Sequence, residues 1–170
     1  MASAATESAL DVARWFVDRA RLEDSYLQAQ KLQRLLYLAQ GLYAGAYHGR
    51  RLMPAVFVAH EMGPVEPNVF RAFELGRPPI PEVSPSAEVV NYLELVWRKY
   101  GTLSTERLND MVRRHDIFLA ARAQGENEEI TIEAMAAFFT RKEDPKPSVR
   151  TSDGRVVQKW IPPTRAVRTK

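Results

Sequence analysis

Residues 26–47 constrain the fold of this chain more than any other segment. They place apolar side chains at helical spacing, and Lys31 and Arg34 are the only formal charges among them. The positions on this apolar face are Leu32, Leu35, Leu36, Ala39, Leu42, Tyr43 and Ala46. A helix that is apolar on nearly every side is normally buried among its neighbours. The pattern therefore predicts a central helix that the remaining elements surround.

Further helices are predicted on both sides of this segment from apolar spacing, capping residues and glycine stops. They cover residues 8–21, 68–75, 86–100, 105–115, 117–123 and 132–141. Between them, Val56-Phe57-Val58 favours a short strand, because β-branched and aromatic residues are frequent in strands. The predicted fold class is mainly α, a compact helical domain around a buried central helix with a small β element and a C-terminal extension.

The charge distribution divides the chain near residue 143. Asp144-Pro145-Lys146-Pro147 marks the edge of a helical domain that spans residues 1–143, and a basic tail follows at residues 144–170. The tail carries seven Lys/Arg and two Asp/Glu, which leaves seventeen basic and nineteen acidic residues in the domain. Residues 152–155 are predicted to turn a small hairpin that pairs residues 149–151 with residues 156–158.

Several functional classes lack the residues that they need. The chain has no cysteine, which excludes thiolate catalysis and cysteine-ligated metals. His60-Glu61 has Pro64 where a helical zinc protease site needs its second histidine. No apolar run approaches the ~20 residues of a membrane span, and residues 1–10 lack the basic-then-apolar pattern of a signal peptide. We expect a cytoplasmic protein that is not an enzyme and has no catalytic residues, metal or cofactor.

A DNA-binding transcriptional regulator is the alternative function. Residues 105–115 and 117–123 are spaced as a helix-turn-helix, with Arg113, Arg114 and the basic tail available for phosphates. The net charge of the domain argues against nucleic acid as a partner, because a phosphate-binding surface is normally basic.

Two segments resemble the signatures of one family of antitoxins. The first segment reads Lys31-Leu-Gln-Arg-Leu-Leu-Tyr-Leu-Ala-Gln-Gly41. It is similar to the central helix of the Panacea-domain family, also described as SocA-like or phage-associated GepA-like. The second segment reads His60-Glu-Met-Gly-Pro-Val-Glu-Pro-Asn-Val-Phe70. It resembles the Gly-Pro-Val turn of that family, which leads through a proline into a helix. The resemblance extends to about residue 143 and does not include the tail.

Membership of this family would imply a helical antitoxin that neutralises a cognate protein toxin by binding it. Some members resemble adaptors that deliver the toxin to the ClpXP protease, so capping and proteolytic delivery both stay open. The partners implied are therefore the toxin and, in the second case, ClpXP.

Candidate partner-binding residues lie in three segments. In the central helix, Lys31, Arg34 and Gln40 lie off the main apolar face, and Tyr37 suits either a core or an interface. We expect substitutions of Arg34 or Tyr37 to spare the fold. The alternative reading of the three polar residues is a solvated helix surface without a partner.

The second segment is the turn, in which Gly63, Pro64 and Pro67 are assigned the structural role of bending the chain. Binding residues often lie on loops that rigid elements support, so the side chains that follow the bend are candidates for partner contact. They are Glu66, Asn68 and Arg71. In the third segment, the basic tail, Trp160 is the candidate because it is more apolar than a solubilising extension requires.

The tail generates the first testable prediction. Its few apolar side chains cannot form a core alone, but a β-prone segment can add to the sheet edge of a partner. Deleting residues 144–170 should leave the melting temperature of the domain nearly unchanged and weaken toxin binding or slow toxin turnover. Full neutralisation by the truncated chain would instead make the tail dispensable, as termini often are. A large fall in melting temperature would mean that the tail packs on its own domain.

Overall fold

The computed structural model describes residues 3–76, 78–79, 83–141, 148–150 and 156–158. Seven α-helices lie in this part of the chain: α1 Ala9–Leu22, α2 Ala29–Ala46, α3 Pro67–Glu74, α4 Ala87–Val96, α5 Thr105–Arg113, α6 Asp116–Gln124 and α7 Ile132–Arg141. The strands in the same part are β1 Phe57–His60, β2 Gly63–Val65, β3 Glu129–Ile130, β4 Ser148–Arg150 and β5 Val156–Gln158. The predicted class, mainly α with a small β element, is confirmed.

Helix α2 is the centre of the domain, as its apolar pattern predicted. Twelve of its eighteen residues are buried. It packs most extensively against α7, and it also contacts α1, α3, α4, α5 and β2. Since α2 has neighbours on several sides, four of its polar side chains lie in the interior with the apolar ones: Gln33, Arg34, Tyr37 and Gln40. That consequence was not foreseen from the sequence.

The small sheet packs beside α2 and α6. Strand β1 is central, and it pairs antiparallel with β2 through Val58 and Val65 and with β3 through Phe57 and Ile130. The predicted strand at residues 56–58 is therefore present, although it is displaced toward His60. Strand β2 was missed because Gly63-Pro64 indicated only a turn. A proline is tolerated there because β2 is an edge strand, where a backbone N–H is not required for pairing.

Capping residues begin the helices much as the sequence predicted. The hydroxyl groups of Ser8 and Ser104 accept hydrogen bonds from the backbone N–H groups of Leu10 and Arg107. Thr131 accepts similarly from Ala134 at the start of α7. Each cap satisfies one N–H group that has no partner inside its helix.

The tail contains the antiparallel pair β4–β5, in which Val149 lies opposite Val157. The predicted hairpin had its first strand one residue later, at residues 149–151. Its turn, residues 152–155, and Trp160 lie outside the described residues. In the part of the chain that the structure describes, no helix is long and apolar enough to span a bilayer.

The contact between α2 and α7 depends on two glycines. A Cβ atom at Gly41 would lie 2.1 Å from Cε2 of Phe139, and one at Gly45 would lie 3.0 Å from the backbone carbonyl carbon of Phe139. The hydroxyl of Thr140 donates a hydrogen bond to the carbonyl oxygen of Gly45 at 3.1 Å. The absence of side chains at these positions therefore allows α7 to approach the backbone of α2.

The second prediction follows from this approach. Replacing Gly41 by alanine gains about 1 kcal/mol of helix propensity but forces the Phe139 ring to move. We expect Gly41→Ala to lower the free energy of unfolding by about 1–3 kcal/mol, measured by urea denaturation. In a Phe139→Leu background the same substitution should be less destabilising, because the smaller side chain vacates the contact. Equal effects in both backgrounds would contradict this account.

Candidate protein-binding site

Arg34 lies in the middle of α2, and it is fully buried. Its Nε donates to Oδ1 of Asn109 at 2.7 Å, and its Nη1 donates to the carbonyl oxygen of Pro64 at 2.6 Å. Nη2 donates to the carbonyl oxygen of Met62. Burial lowers the pKa of Arg34 to about 10, so the guanidinium remains charged at neutral pH. This one side chain joins α2 to the β1–β2 turn and to α5.

Gly63 is required by the position of that guanidinium. Its φ of +122° lies in the region that favours glycine, and a Cβ atom would stand 2.7 Å from Cζ of Arg34. Pro67 occupies the first turn of α3, where a missing N–H is harmless. Gly63 thus stands where a larger residue would meet the guanidinium, and Pro67 stands at the start of α3.

Gln40 holds the chain that follows α2. Its Oε1 accepts from the backbone N–H groups of Leu52 and Met53 at 3.0 and 3.1 Å, and its Nε2 donates to the carbonyl oxygen of Met53 at 3.0 Å. Gln33 acts similarly on the turn, since its Oε1 accepts from the backbone N–H of Glu66 at 2.8 Å. Both amides satisfy backbone groups in segments without regular secondary structure.

Tyr37 and Lys31 also bond inside the domain. The Tyr37 hydroxyl lies 3.0 Å from Nδ1 of His115, and its ring makes edge contacts with Phe57 and Phe139. Burial raises the pKa of Tyr37. Lys31 is half-buried, and its Nζ donates to the carbonyl oxygen of Gly101 at 2.6 Å. Desolvation lowers the pKa of this ammonium group.

The predicted surface position was therefore wrong for Arg34 and Gln40, and Tyr37 takes the core position, one of the two that its sequence left open. Helix α2 is enclosed. Arg34 and Gln40 supply hydrogen bonds to neighbouring backbone groups that would otherwise be unsatisfied, and the Tyr37 hydroxyl pairs with Nδ1 of His115. These buried side chains cannot contact a partner in this fold, and we now expect their substitution to destabilise the fold.

Glu66, from the turn, is buried as well, so its side chain is not available for contact with a partner. Its Oε2 accepts from the backbone N–H of Val69 at 2.6 Å and so caps α3. Asn68 and Arg71 are exposed on α3, and they remain candidates. Phe70 lies beside them with its ring 6.3 Å from that of His60. Trp160 lies outside the described residues.

A second exposed surface was missed by the sequence reasoning. Leu22, Tyr26 and Leu75 are 80%, 89% and 99% exposed, the highest values of any large apolar side chains in the described residues. Leu22 lines a pocket along α1. Tyr26 lines a groove of about 450 Å³, which we call the α1–α3 groove, and Leu75 comes directly before Gly76 of the same groove. Its lining includes Val17, Arg21, Tyr26, Leu27 and Phe73.

The only sequence signal of this surface was weak. Leu22 falls off the apolar face that α1 buries through Val12, Ala13 and Phe16. Tyr26 belonged to the segment from which the central helix was predicted, but the helix begins after it, at Ala29. A single exposed leucine or tyrosine is ordinary, so only the fold reveals that Tyr26 lines a groove together with Phe73 of α3.

The predicted helix-turn-helix corresponds to α5 and α6, but its charges do not favour DNA. The second helix begins with Asp116, and its one arginine, Arg122, is half-buried with Nη1 3.4 Å from the carbonyl oxygen of Ala59. Arg113 and Arg114 are exposed at the end of α5. Groove recognition needs its cations on the helix that enters the groove.

Comparisons with protein-family models, with curated proteins and with solved structures found no match to this chain. Among the described residues, no three His, Asp or Glu side chains form a group that could hold a metal ion.

The buried guanidinium provides the third prediction. Arg34→Met keeps a long side chain but leaves the carbonyl oxygens of Met62 and Pro64 without their donor. We expect the free energy of unfolding to fall by at least about 3 kcal/mol, since each unsatisfied buried group costs about 1–3 kcal/mol. The matched control is Arg71→Met at an exposed site, which should change it by less than about 0.5 kcal/mol. Similar denaturation midpoints for the two variants would contradict the structural role of Arg34.

Proposed function

We propose that this chain is the antitoxin of a bacterial toxin–antitoxin pair and that it binds and neutralises a cognate protein toxin in the cytoplasm. In this proposal the protein acts by binding and not by catalysis. The observation that carries it is the exposure of three large apolar side chains at the C-terminal ends of α1 and α3 and in the loop after α1, namely Leu22, Tyr26 and Leu75. We call these three side chains the apolar rim.

The apolar rim has the composition of a protein interface. Burial of apolar surface contributes about 25 cal/mol per Å² to the free energy of association. Burial of these exposed side chains against a partner would therefore stabilise a complex. Tyrosine is among the residues that contribute most to interfaces, since its ring offers a large area and its hydroxyl a polar end. The groove adds Phe73 at its floor and Arg21 and Asp24 at its edge. A partner that fits would present apolar side chains with charged groups beside them.

Helix α3 extends this surface toward the second group of candidates. Leu75 lies at the end of α3, whereas Asn68 and Arg71 lie on its preceding turns. Eight helical residues span about 12 Å, well within one protein–protein interface. The exposed side of α3 therefore connects the residues predicted from the sequence with the apolar rim.

The resemblance to the Panacea-domain family supports a toxin as the partner. The first of the two motifs that carry it, residues 31–41, forms hydrogen bonds that hold the fold together, so it suits a shared scaffold. The surfaces that differ between such scaffolds would then select different toxins. Neutralisation by capping and delivery to ClpXP are both consistent with a binding surface of this kind.

The test uses the toxin encoded beside this gene. The product of the neighbouring gene should stop growth when it is expressed alone, and co-expression of the full antitoxin chain should restore colony formation. We expect the double variant Tyr26→Ser/Leu75→Ser to bind that toxin about tenfold or more weakly, because interface hot spots contribute more than ~1 kcal/mol each. Isothermal calorimetry and colony counts would measure the two effects.

The control is Leu95→Ser/Leu119→Ser, which changes side chains that are 64% and 51% exposed on α4 and α6. It should protect cells fully. Equal protection by both double variants would remove the apolar rim from the interface, and a neighbouring product without toxicity would count against the antitoxin role itself. A toxin half-life that lengthens in cells lacking ClpXP would favour delivery over capping.

A further inference from the structure

The loop between α1 and α2 displays Tyr26, yet its backbone is tightly held. The N–H groups of Glu23 and Ser25 both donate to the carbonyl oxygen of Ala20 at 3.0 Å. Asp24 donates to the carbonyl of Arg21 and adopts a left-handed φ of +52°. A residue other than glycine keeps such a conformation only where its surroundings enforce it. The contacts that enforce it come from outside the loop.

The first of these contacts is made by Glu23. Its Oε1 accepts from Nε1 of Trp97 at 3.2 Å and from Nη1 of Arg19 at 2.8 Å. Arg19 also donates through Nε to Glu94 at 2.8 Å, and its guanidinium carbon lies 5.7 Å from the centre of the Trp97 ring. The hydrogen bond from Trp97 lowers the pKa of Glu23, which is therefore ionised at neutral pH. These hydrogen bonds thus fix Glu23, the first residue of the loop, against Trp97 and Arg19.

Trp97 belongs to a π-helical turn, Trp97–Gly101, that continues α4. A Cβ atom at Gly101 would lie 2.5 Å from Cδ2 of Trp97, so the glycine lets the indole lie against the backbone of the turn. The carbonyl oxygen of the same glycine accepts from Lys31, in the first turn of α2. One unusual turn therefore contacts both sides of the loop, before and after Tyr26. Single π-turns inside helices are frequently found at functional sites.

The end of the loop is held as well. Gln28, the residue before α2, receives a hydrogen bond on Oε1 from the hydroxyl of Thr105 at 3.1 Å. Leu27 is buried beside the exposed Tyr26. Every neighbour of Tyr26 in the loop is fixed by a contact, whereas the tyrosine itself projects into solvent.

We propose that Trp97, Glu23 and Lys31 are positioning residues that hold the α1–α2 loop so that Tyr26 is presented to the partner in its binding conformation. This inference rests on the proposed function. Its physical basis is preorganisation, since a loop that is ordered before binding loses less conformational entropy when the complex forms. The π-helical turn is the element that supplies the order.

The experiment begins with the free full-length chain. Trp97→Phe removes the indole donor and keeps an aromatic ring in place. Hydrogen–deuterium exchange of residues 24–27 should become about fivefold faster, the effect of losing one hydrogen bond of ordinary strength. Tyr92→Phe is the matched control, because it removes a hydroxyl on α4 that donates to the carbonyl oxygen of Ala39 at 2.7 Å, away from the loop. It should leave exchange in the loop unchanged.

Binding to the toxin encoded beside the gene completes the test. Trp97→Phe and Glu23→Ala should each weaken it about fivefold, and Glu23→Gln, which retains an acceptor for the indole, should weaken it less. Unchanged loop exchange, or equal weakening by Tyr92→Phe, would overturn the positioning role while leaving the apolar rim intact as the interface. No effect of Tyr26→Ser on binding would overturn the interface and the positioning role together.

Discussion

The fold depends on one buried cation. Removing a guanidinium from water costs several kcal/mol, and Arg34 offsets that cost by donating to Met62, Pro64 and Asn109. The acceptors serve two requirements of the fold, since the two carbonyls shape the β1–β2 turn and the amide fixes α5 against α2. Gly63 then becomes obligatory, because a side chain there would overlap the guanidinium. The position of the turn, and with it the start of α3, follows from a charge placed inside α2.

The other polar residues of α2 extend the same principle. Gln33, Tyr37 and Gln40 bond to the turn, to α5–α6 and to the segment after α2, and no buried polar side-chain atom in the described residues lacks a hydrogen-bond partner. A helix with this many obligatory bonds tolerates few substitutions, whatever its partner. This is why a motif in residues 31–41 is informative about the fold and uninformative about contact residues. Under the proposed function, specificity would have to come from the exposed loop and from α3.

The central helix and most caps could be predicted because they rest on local patterns, namely apolar spacing around Leu35 and hydroxyl groups at Ser8 and Ser104. The inward direction of the Arg34 side chain could not be predicted, since an arginine off the apolar face is usually solvated. Only the packing of the β1–β2 turn on α2 encloses it. Strand β2 was hidden by its proline. The apolar rim combines Leu22, Tyr26 and Leu75 from two distant segments, and the groove that Tyr26 shares with Phe73 exists only after α3 packs beside α1.

The two halves of the proposed interface are positioned by different interior contacts. Tyr26 depends on Glu23, Trp97 and the π-helical turn, whereas Leu75 depends on α3, whose first turn is capped by Glu66 and tied to α2 through Gln33. A substitution inside α2 would therefore shift α3 relative to the loop and weaken binding without touching the partner. Loss of neutralisation by an Arg34 or Gln33 variant would consequently not identify a contact residue. Contact can be assigned only to exposed side chains whose substitution weakens binding while the free energy of unfolding stays unchanged.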